Sequence, residues 1–466
     1  MLFFATMFCY MDRQVLALTW KNFIAPEFGW TERNYSFLTA FFSLVYAIAM
    51  FVAGRFITFI GNKRGYAIAM FICTLGATMH AFSGIMVCGA LTGFWPQNFE
   101  VALETLHDIS TMTLPVTSTS ILVFMFCQAV MAVGQAANFP AAVHITAEYF
   151  PKRDRAYATA IFNTGASAGA LLSPVIIPLT AQQYGWEVAF LAVGSIGYVW
   201  LIIWLILYAR PKRSRFVNST EYAYIRQDED GDARPPKMVY TIWQCLHLRY
   251  TWALIAAKFL TDGVWWFFLF WTPLYIADTY GYNTQSQMGM ALIFVLYLIT
   301  TLSVMGGYLP TYFVDRRSLS PHTARLRSML IFASIQLIGI FAVPLGGVSP
   351  WLLVGIIGIQ GAAHQSWSAS LFSLIGDYFP RKSIATVTGI IGMAGGLSSF
   401  LILSNSGMLI SNSETTDESL RFLMYDGKQA SYMLVMCIFS FLYLIGWALM
   451  RILMPDNIKD VKKGNA

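Results

Sequence analysis

Two stretches of the chain repeat one another 229 positions apart: Glu148–Arg153 (EYFPKR) and Asp377–Lys382 (DYFPRK). The residues that follow also correspond, since Ala156–Thr159 (AYAT) matches Ala385–Thr388 (ATVT). Clusters of aromatic, proline and basic residues recur at helix ends without any duplication, but the shared order, spacing and flanking small residues favour an internal repeat. The chain is therefore predicted to consist of two related halves.

The composition around these repeats excludes a soluble protein. Of the 466 residues, 57% are hydrophobic and 12% are charged, whereas globular chains have about 45–50% and about 25%. The six cysteines lack the paired spacing of a zinc site or a disulfide framework, and the apolar runs contain no nucleophile–base arrangement. We therefore predict an all-α polytopic membrane protein that is not an enzyme and has no metal and no cofactor.

Twelve apolar runs reach the ~20 residues that a helix needs to cross a bilayer. The predicted organisation is two six-helix halves at 1–209 and 250–454, a cytoplasmic loop at 210–249 and a cytoplasmic tail at 455–466. Paired halves of this kind are typical of transporters that bind their substrate between the halves. The twelve predicted spans are 2–22, 35–58, 66–92, 118–141, 157–180, 187–208, 251–276, 288–312, 327–346, 351–374, 384–409 and 430–452.

Basic residues are concentrated on one side of the predicted membrane. Of the 30 Lys and Arg residues, 24 lie in the tail or in connections that follow even-numbered spans. Positive charge is retained on the cytoplasmic side during insertion, so we expect both termini in the cytoplasm. The net charge of +6 is then an orientation signal and indicates no nucleic-acid partner. On the other side the connection 91–120 is long, and the i,i+4 spacing of Glu100 and Glu104 suits a short helix.

Six motifs lie in or beside the predicted spans: Tyr10–Leu16 (YMDRQVL), Phe28–Glu32 (FGWTE), Ala137–Ala142 (ANFPAA), Ile161–Gly165 (IFNTG), Phe259–Phe267 (FLTDGVWWF) and Ala363–Ala369 (AHQSWSA). Together they resemble the major facilitator superfamily, in particular its anion:cation symporter branch and the bacterial hexuronate transporters. The resemblance implies the major facilitator fold, with two pseudo-symmetric six-helix halves and alternating access. It also implies import of a small organic anion, a hexuronate or related sugar acid, with protons across a bacterial inner membrane. We expect a monomer in contact with membrane lipid.

Charge is rare inside a membrane span because it costs at least ~2.5–3.5 kcal/mol at mid-bilayer on insertion scales. Asp12 and Arg13 lie midway along the first run. Adjacent helix positions point roughly 100° apart. Arg13 is thus free to bind a substrate carboxylate with its planar guanidinium, and Asp12 to bind a proton; a structural ion pair with a neighbouring helix is the alternative. The resemblance assigns anion binding to this Arg and proton coupling to this Asp.

Lys258 and Asp262 are the corresponding charges in the seventh run, one helical turn apart. At this spacing they can form an ion pair within the helix, so they either neutralise one another or relay charge during proton coupling. Trp265 and Trp266 follow directly. Aromatic residues at helical spacing are commonly packing residues, but sugars stack on indole rings, and the resemblance places this segment beside the substrate cavity.

Polar side chains in other spans complete the predicted substrate site. Amide side chains donate and accept hydrogen bonds and suit sugar hydroxyls, although they equally join helix to helix. A single intramembrane histidine is a hydrogen-bonded core residue, a titrating group or a sugar ligand. The predicted substrate-binding residues, besides Arg13 and the two tryptophans, are Tyr10, Tyr46, Gln135, Asn138, Asn163, His364, Gln365 and Trp367.

The chain departs from the family pattern where that pattern carries charge. Gln128 and Gln135 stand in place of an Arg and a Glu of the family's fourth helix, and losing both charges together keeps a buried site neutral. In the signature Gly-x-x-x-Asp-Arg-x-Gly after the second helix, Thr58 replaces the Asp, and Thr311 takes the same place in the second half. The alternatives to proton symport are therefore a proton-independent facilitator and a transport-poor membrane sensor of a similar carboxylate.

Overall fold

The computed structural model describes residues 1–110, 115–151, 155–227, 241–380, 383–413 and 420–454. This part of the chain is helical, as predicted, apart from one short antiparallel ladder of β1 (Arg421–Phe422) with β2 (Tyr425–Asp426). The basic pairs that end the two repeated stretches, at 152–153 and 381–382, lie outside the described residues. So do positions 228–240 of the predicted central loop and the predicted tail at 455–466.

The described residues form twenty α-helices, numbered along the chain. In the first part they are α1 (Leu2–Thr19), α2 (Ala25–Phe28), α3 (Glu32–Ile60), α4 (Asn62–Ala81), α5 (Ser83–Thr92), α6 (Phe99–Ser110), α7 (Val116–Gln135), α8 (Asn138–Tyr149), α9 (Arg155–Tyr184) and α10 (Trp186–Leu207). In the second part they are α11 (Ser219–Arg226), α12 (Ile242–Leu246), α13 (Arg249–Tyr280), α14 (Gln287–Thr300), α15 (Ser303–Arg317), α16 (Pro321–Ile335), α17 (Ala342–Gly346), α18 (Pro350–Tyr378), α19 (Ile384–Asn412) and α20 (Gly427–Leu453). A π-helical turn (Trp20–Ile24) joins α1 to α2, and 3₁₀ turns lie at Pro211–Arg213 and Gln336–Phe341.

Each of the twelve predicted apolar runs coincides with one helix or with consecutive helices in the described part of the chain. Within that part, eight helical segments are long and apolar enough to cross a membrane, and a ninth is the pair α4 and α5, bent by 64°. Helices α1 and α18 fall below that hydropathy because they carry polar side chains, such as Arg13 and His364. Both of these side chains are only 4% exposed, so they face other helices and not lipid.

Some predicted spans are broken in the structure. The run predicted at 66–92 bends at Phe82, between α4 and α5. The run predicted at 118–141 contains a turn between α7 and α8, just before Asn138. The connection predicted to hold a short helix does so, since α6 contains both Glu100 and Glu104.

Helices α3 and α19 make backbone-to-backbone contact along their whole length. A Cβ atom on Gly54, near the end of α3, would lie 2.1 Å from the carbonyl oxygen of Ala385. At the other end a Cβ atom on Gly407 would lie 1.8 Å from the hydroxyl of Ser36. Small residues permit such close approach of membrane helices. Helix α9 packs against α14 and α18 in a second contact between the two parts of the bundle.

Candidate functional site

A small cavity lies between these two lines of contact, lined by α1, α3, α8, α9, α13, α18 and α19. The centres of water-sized molecules have about 30 Å³ available to them there, which is room for one or two waters. The cavity is therefore closed around its lining in this conformation. Ten of the fourteen predicted site residues line it: Tyr10, Arg13, Tyr46, Asn163, Lys258, Asp262, Trp265, Trp266, His364 and Gln365.

Arg13 is enclosed by aromatic rings. Its Cζ atom lies 4.9 Å from the ring centre of Tyr10, 4.8 Å from that of Tyr46 and 4.7 Å from that of Trp266. Its Nε donates a hydrogen bond of 2.6 Å to Oε1 of Gln135. Ring faces attract a cation without neutralising it, and Arg13 forms no ion pair with a described residue. The side chain is thus a positive charge in a small, enclosed cavity, suited to binding an anion.

Gln135 does not line the cavity, but it orients the Arg13 side chain by accepting a hydrogen bond from its Nε. Its Nε2 donates to the carbonyl oxygen of Cys9 at 3.2 Å, which turns Oε1 toward the guanidinium. A neutral amide therefore contacts Arg13 where the resembling family has a carboxylate. Gln128 lies two turns earlier on the same helix, α7, and is buried. No hydrogen bond joins it to Arg13 among the described residues.

Asp12 points away from the cavity, as the 100° divergence of adjacent helix positions predicts. Its Oδ2 accepts a contact of 3.7 Å from the thiol of Cys73 on α4. Its Oδ1 has no hydrogen-bond partner in the described structure, and the residue is only 6% exposed. Among the described residues, no ion pair joins Asp12 to a neighbouring helix. The alternative of a structural ion pair therefore finds no partner in the described part of the chain.

Lys258 and Asp262 form an ion pair of 2.8 Å within α13. Lys258 also donates to the hydroxyl of Ser368 at 3.3 Å, and its Nζ lies 4.7 Å from the ring centre of Phe372. A Cβ atom on Gly395 would lie 2.4 Å from Oδ2 of Asp262, so the glycine allows this carboxylate to lie against α19. The pair neutralises itself and leaves Arg13 as the uncompensated charge of the described lining.

The uncharged groups of the lining suit a hydroxylated molecule. Asn163 on α9 donates to Oε1 of Gln365 on α18 at 3.1 Å, so two amides meet across the bundle. His364 stacks on Trp265 with ring centres 5.3 Å apart and planes at 3°. Its Nδ1 lies 2.7 Å from the hydroxyl of Tyr443 on α20. Amide, imidazole and indole groups together provide donors, acceptors and a flat apolar face.

Besides Asp12 and Gln135, two more predicted site residues lie outside the cavity. Asn138 accepts a hydrogen bond from the hydroxyl of Tyr66 and donates to that of Thr6 at 3.3 Å, so it joins α8 to α4 and α1. Trp367 is fully buried and packs edge-on against Tyr443, with ring centres 5.7 Å apart. Both side chains contact neighbouring helices, which is the alternative considered for Asn138.

Several lining residues were missed by the sequence reasoning. Ser368 and Phe372 follow His364 at i+4 and i+8, so helical periodicity places them on the same face of α18 and could have identified them. Phe139 and Phe372 stack with ring centres 5.3 Å apart and planes at 13°, and close the cavity between α8 and α18. Phe139 lies inside the motif ANFPAA, but nothing in the sequence distinguishes its aromatic ring from a packing residue.

Ion pairs close the end of the bundle that carries Lys21, Glu32, Asp278 and Lys428, here called the Lys21 end. Lys21 pairs with Asp278, and Lys428 lies 3.1 Å from Glu32 and 3.9 Å from Asp278. Asn22 donates to Thr284 at 3.0 Å beside them. These contacts join the end of α1 and the start of α3 to α13, α20 and the turn before α14.

The opposite end carries Gly54, Glu148 and Arg210 and is here called the Glu148 end. Thr58, which replaces the Asp of the family signature, donates its hydroxyl to the carbonyl of Gly54 in its own helix at 2.9 Å. Among the described residues, no hydrogen bond joins Thr58 to the second part of the bundle. Among the described residues, closure at this end depends on packing, with Gly54 against Ala385 and Phe139 against Phe372.

Comparisons with known proteins agree with this arrangement. The sequence profile of the Major Facilitator Superfamily matches residues 2–103 and 109–403. The chain is 26% identical to the hexuronate transporter of Escherichia coli over 413 residues, 87% of this chain and 85% of that one. It is 25% identical to the galacturonate transporter of Dickeya chrysanthemi over 318 residues, 66% and 79% of the two chains.

Solved structures show the same fold at low sequence identity. The proton:xylose symporter XylE matches with a TM-score of 0.68 and 15% identity, over 97% of this chain and 94% of that one. A partially occluded inward-open form of XylE from Escherichia coli matches with a TM-score of 0.64 and 15% identity, over 97% and 95%. Because the family profile matches most of the length of this chain, the chain belongs to the Major Facilitator Superfamily and is a multi-pass membrane transporter, not an enzyme.

Proposed function

We propose that this transporter carries a hexuronate or a closely related sugar acid. The observation that carries the proposal is Arg13, a buried cation enclosed by Tyr10, Tyr46 and Trp266 and without a carboxylate partner among the described residues. A planar guanidinium binds a carboxylate with two parallel hydrogen bonds. Relatives named for hexuronate, galacturonate and galactonate transport support the same class of substrate.

The charge balance of the lining favours a substrate with one carboxylate. The second cation, Lys258, is paired with Asp262 at 2.8 Å, so only Arg13 is available to an anion. A diacid would bring a second negative charge into a cavity that leaves it uncompensated, and burial of an unpaired charge is costly. Asn163, Gln365 and His364 then bind hydroxyl groups, and Trp265 and Trp266 stack on the sugar ring.

We further propose that transport is coupled to protons. Asp12 is a buried carboxyl group beside Arg13 in sequence, with one oxygen unpaired in the described structure, which suits a group that binds and releases a proton. Binding of a proton at Asp12 on the α4 side and of an anion at Arg13 on the cavity side brings both ligands to the same turn of α1. Movement of α1 then exposes both to one side of the membrane or the other.

A proton-independent facilitator is the second candidate function, and Gln135 favours it. An amide does not bind and release a proton as a carboxyl group does. Gln135 stands where the resembling family has a Glu, and its Oε1 lies 2.6 Å from Nε of Arg13. Under this alternative the sugar acid binds in the same cavity and moves down its own concentration gradient as the cavity opens to one side of the membrane and then to the other. A transport-poor membrane sensor of a similar carboxylate is what remains if no flux is found.

We propose a bacterial inner-membrane location with the Glu148 end and both termini in the cytoplasm, since 24 of the 30 basic residues belong to that side. The Lys21 end then faces outward. The two halves proposed for alternating access are 1–209 and 250–454, connected by the loop at 210–249. The transporter is proposed to work as a monomer in contact with lipid, because one chain supplies the whole cavity lining described.

Uptake into proteoliposomes tests these proposals. Labelled glucuronate should exchange against internal glucuronate, and Arg13→Ala should reduce this exchange by roughly 10- to 150-fold, the value of a charge-assisted hydrogen bond of ~1.5–3 kcal/mol. Arg213→Ala, at an exposed arginine outside the cavity, is the control. Retained exchange in the Arg13 variant removes that residue from the site. Accumulation that persists after the proton gradient is collapsed removes symport.

A further inference from the structure

A second cavity, of about 340 Å³, lies at the Glu148 end and is separate from the site around Arg13. Its walls are the end of α8 with His144 and Glu148, the 3₁₀ turn Pro211–Arg213 preceded by Arg210, and helix α11 with Tyr222. Sites for small ligands in proteins occupy about 300–1,000 Å³. This cavity is therefore large enough for a ligand of its own, and the transport cycle proposed above has no use for it.

The charge of the lining is positive. Arg210 and Lys212 contribute two cations to the described lining, against one carboxylate from Glu148. That carboxylate is already used, since it accepts 2.7 Å and 3.3 Å hydrogen bonds from Asn62 and Tyr208. Its Oε1 also lies 3.9 Å from Nε of Arg210. No ion pair joins Lys212 to a described carboxylate, so the cavity presents excess positive charge to a ligand.

The position of the cavity in the chain indicates where the ligand comes from. Helix α10 is a membrane span that ends at Leu207, so Arg210 and Lys212 follow it at the depth of the lipid headgroups. Phe216 is 74% exposed in the same connection, and Trp243 is 73% exposed just before α13. Exposed aromatic residues beside basic ones are typical of the membrane interface, where basic pockets bind the headgroups of anionic lipids.

We propose that this cavity binds the phosphate group of an anionic phospholipid. Lys212 and Arg210 contact the phosphate, and the tail of the lipid extends past Phe216 into the bilayer. The bound headgroup would join the end of α8 to the segment that follows α10. This is the Glu148 end, where no hydrogen bond of Thr58 to the second part of the bundle is found among the described residues. The proposal is independent of which sugar acid is transported.

Native mass spectrometry of the purified full-length protein tests this site. Phosphatidylglycerol should stay bound after exchange into neutral detergent, and Lys212→Gln should weaken its binding by about five-fold, the loss of ~1 kcal/mol from one basic group. Arg213→Gln is the matched control, because it removes the same charge from the next residue, which does not line the cavity. It should change binding by less than about two-fold, and both variants should unfold at the wild-type temperature in neutral phosphatidylcholine nanodiscs.

The two sources of a phosphate group are separated by a second titration, with inorganic phosphate and glycerol 3-phosphate. We expect neither to raise the unfolding temperature at concentrations where phosphatidylglycerol does. Stabilisation by the soluble phosphates alone overturns the lipid assignment. Equal loss of lipid in the Lys212 and Arg213 variants also overturns it, because general surface attraction then explains the binding. If Lys212→Gln unfolds early, the retention of phosphatidylglycerol by Arg210→Gln decides the question by the same criterion.

Discussion

Arg13 shows how one residue combines opposed requirements. A guanidinium in a membrane needs partners, yet a carboxylate partner would occupy the place proposed for the carboxylate of the substrate. Tyr10, Tyr46 and Trp266 resolve this conflict because their ring faces attract the cation without cancelling its charge. Gln135 fixes the orientation with a neutral oxygen.

The first prediction concerns Gln135. In Gln135→Glu the new carboxylate takes the position of Oε1, 2.6 Å from Nε of Arg13, and pairs with it. Sugar-acid affinity should fall about ten-fold at neutral pH, since the anion now competes for a paired arginine, and it should recover as the pH falls and the carboxylate is protonated. Gln135→Leu, which adds no titratable group, should show no such recovery. A pH-independent affinity in Gln135→Glu, measured by counterflow, contradicts this account.

The second prediction concerns Glu27 on α2, outside the spans. Burial raises the pKa of Glu27 to about 8, although its Oε2 accepts a 2.7 Å bond from Trp186; the nearby Glu187 adds to the rise. The folded state thus keeps a proton that the unfolded chain loses above its ordinary pKa of 4.5. Stability should therefore fall as the pH rises from about 5 to 8, by at most ~1.4 kcal/mol per pH unit.

Glu27→Gln should flatten this dependence and raise the unfolding temperature at pH 8. Thermal unfolding in detergent across the pH range measures both effects. Glu100→Gln, at an exposed carboxylate on α6, is the control and should leave the curve as it is in the wild type. An unchanged slope in the Glu27 variant would assign the pH dependence to other groups.

For individual residues, the sequence predicted the position of charged side chains better than that of amide side chains. Arg13 and Asp12 were separable because adjacent helix positions diverge by a fixed angle, and the structure has them on different sides of α1. Asn138 and Gln135 could not be separated in this way. An amide satisfies its hydrogen bonds equally well in packing or in a site, so only the neighbours, Tyr66 for one and Arg13 for the other, distinguish the two.

At the scale of the elements, the packing of α3 against α19 holds the Glu148 end closed. A Cβ atom added to Gly54 would lie 2.1 Å from the carbonyl oxygen of Ala385 on α19. A backbone carbonyl cannot rotate away as a side chain can. The only relief for an added methyl group is separation of the two helices at the Glu148 end.

Gly54→Ala should therefore open the Glu148 end. We expect faster hydrogen exchange in the last turns of α3 and the first turns of α19, and uptake reduced to a few per cent or less. Gly355→Ala is the matched control: that helical glycine of α18 has open space around its Cα, so the change should be neutral or stabilise the helix by up to ~1 kcal/mol. Normal exchange in the Gly54 variant would mean that α19 can shift without opening the cavity.

Across the whole molecule, the two ends are closed by different forces. Among the described residues the ion pairs that join the two parts of the bundle lie at the Lys21 end, between positions 257 and 396 residues apart. The apolar runs predicted where the helices lie, because the position of a membrane helix depends on local hydropathy. Pairs such as Lys428 with Glu32 were beyond prediction, because the sequence does not say which distant charges meet.

Asp278 connects these pairs, since it contacts both Lys21 and Lys428. Asp278→Asn should weaken the Lys21 end and increase hydrogen exchange at the end of α13 and the start of α3. In wild-type protein, high salt should produce only a small part of the same effect, because partly buried ion pairs are screened much less than exposed ones. Asp315→Asn, a change of the same kind on α15 at the other end, is the control. Exchange that is unchanged in Asp278→Asn would show that packing alone holds the Lys21 end.

The small volume of the cavity around Arg13 sets a limit on what a binding measurement reports. If only a fraction of molecules is open enough to admit the ligand, the apparent dissociation constant is the intrinsic constant divided by that fraction. An open population of ~1% would weaken the observed affinity about 100-fold. A substitution such as Asp278→Asn, far from every group that touches the ligand, can then tighten apparent binding, and affinity alone cannot identify the residues of the site.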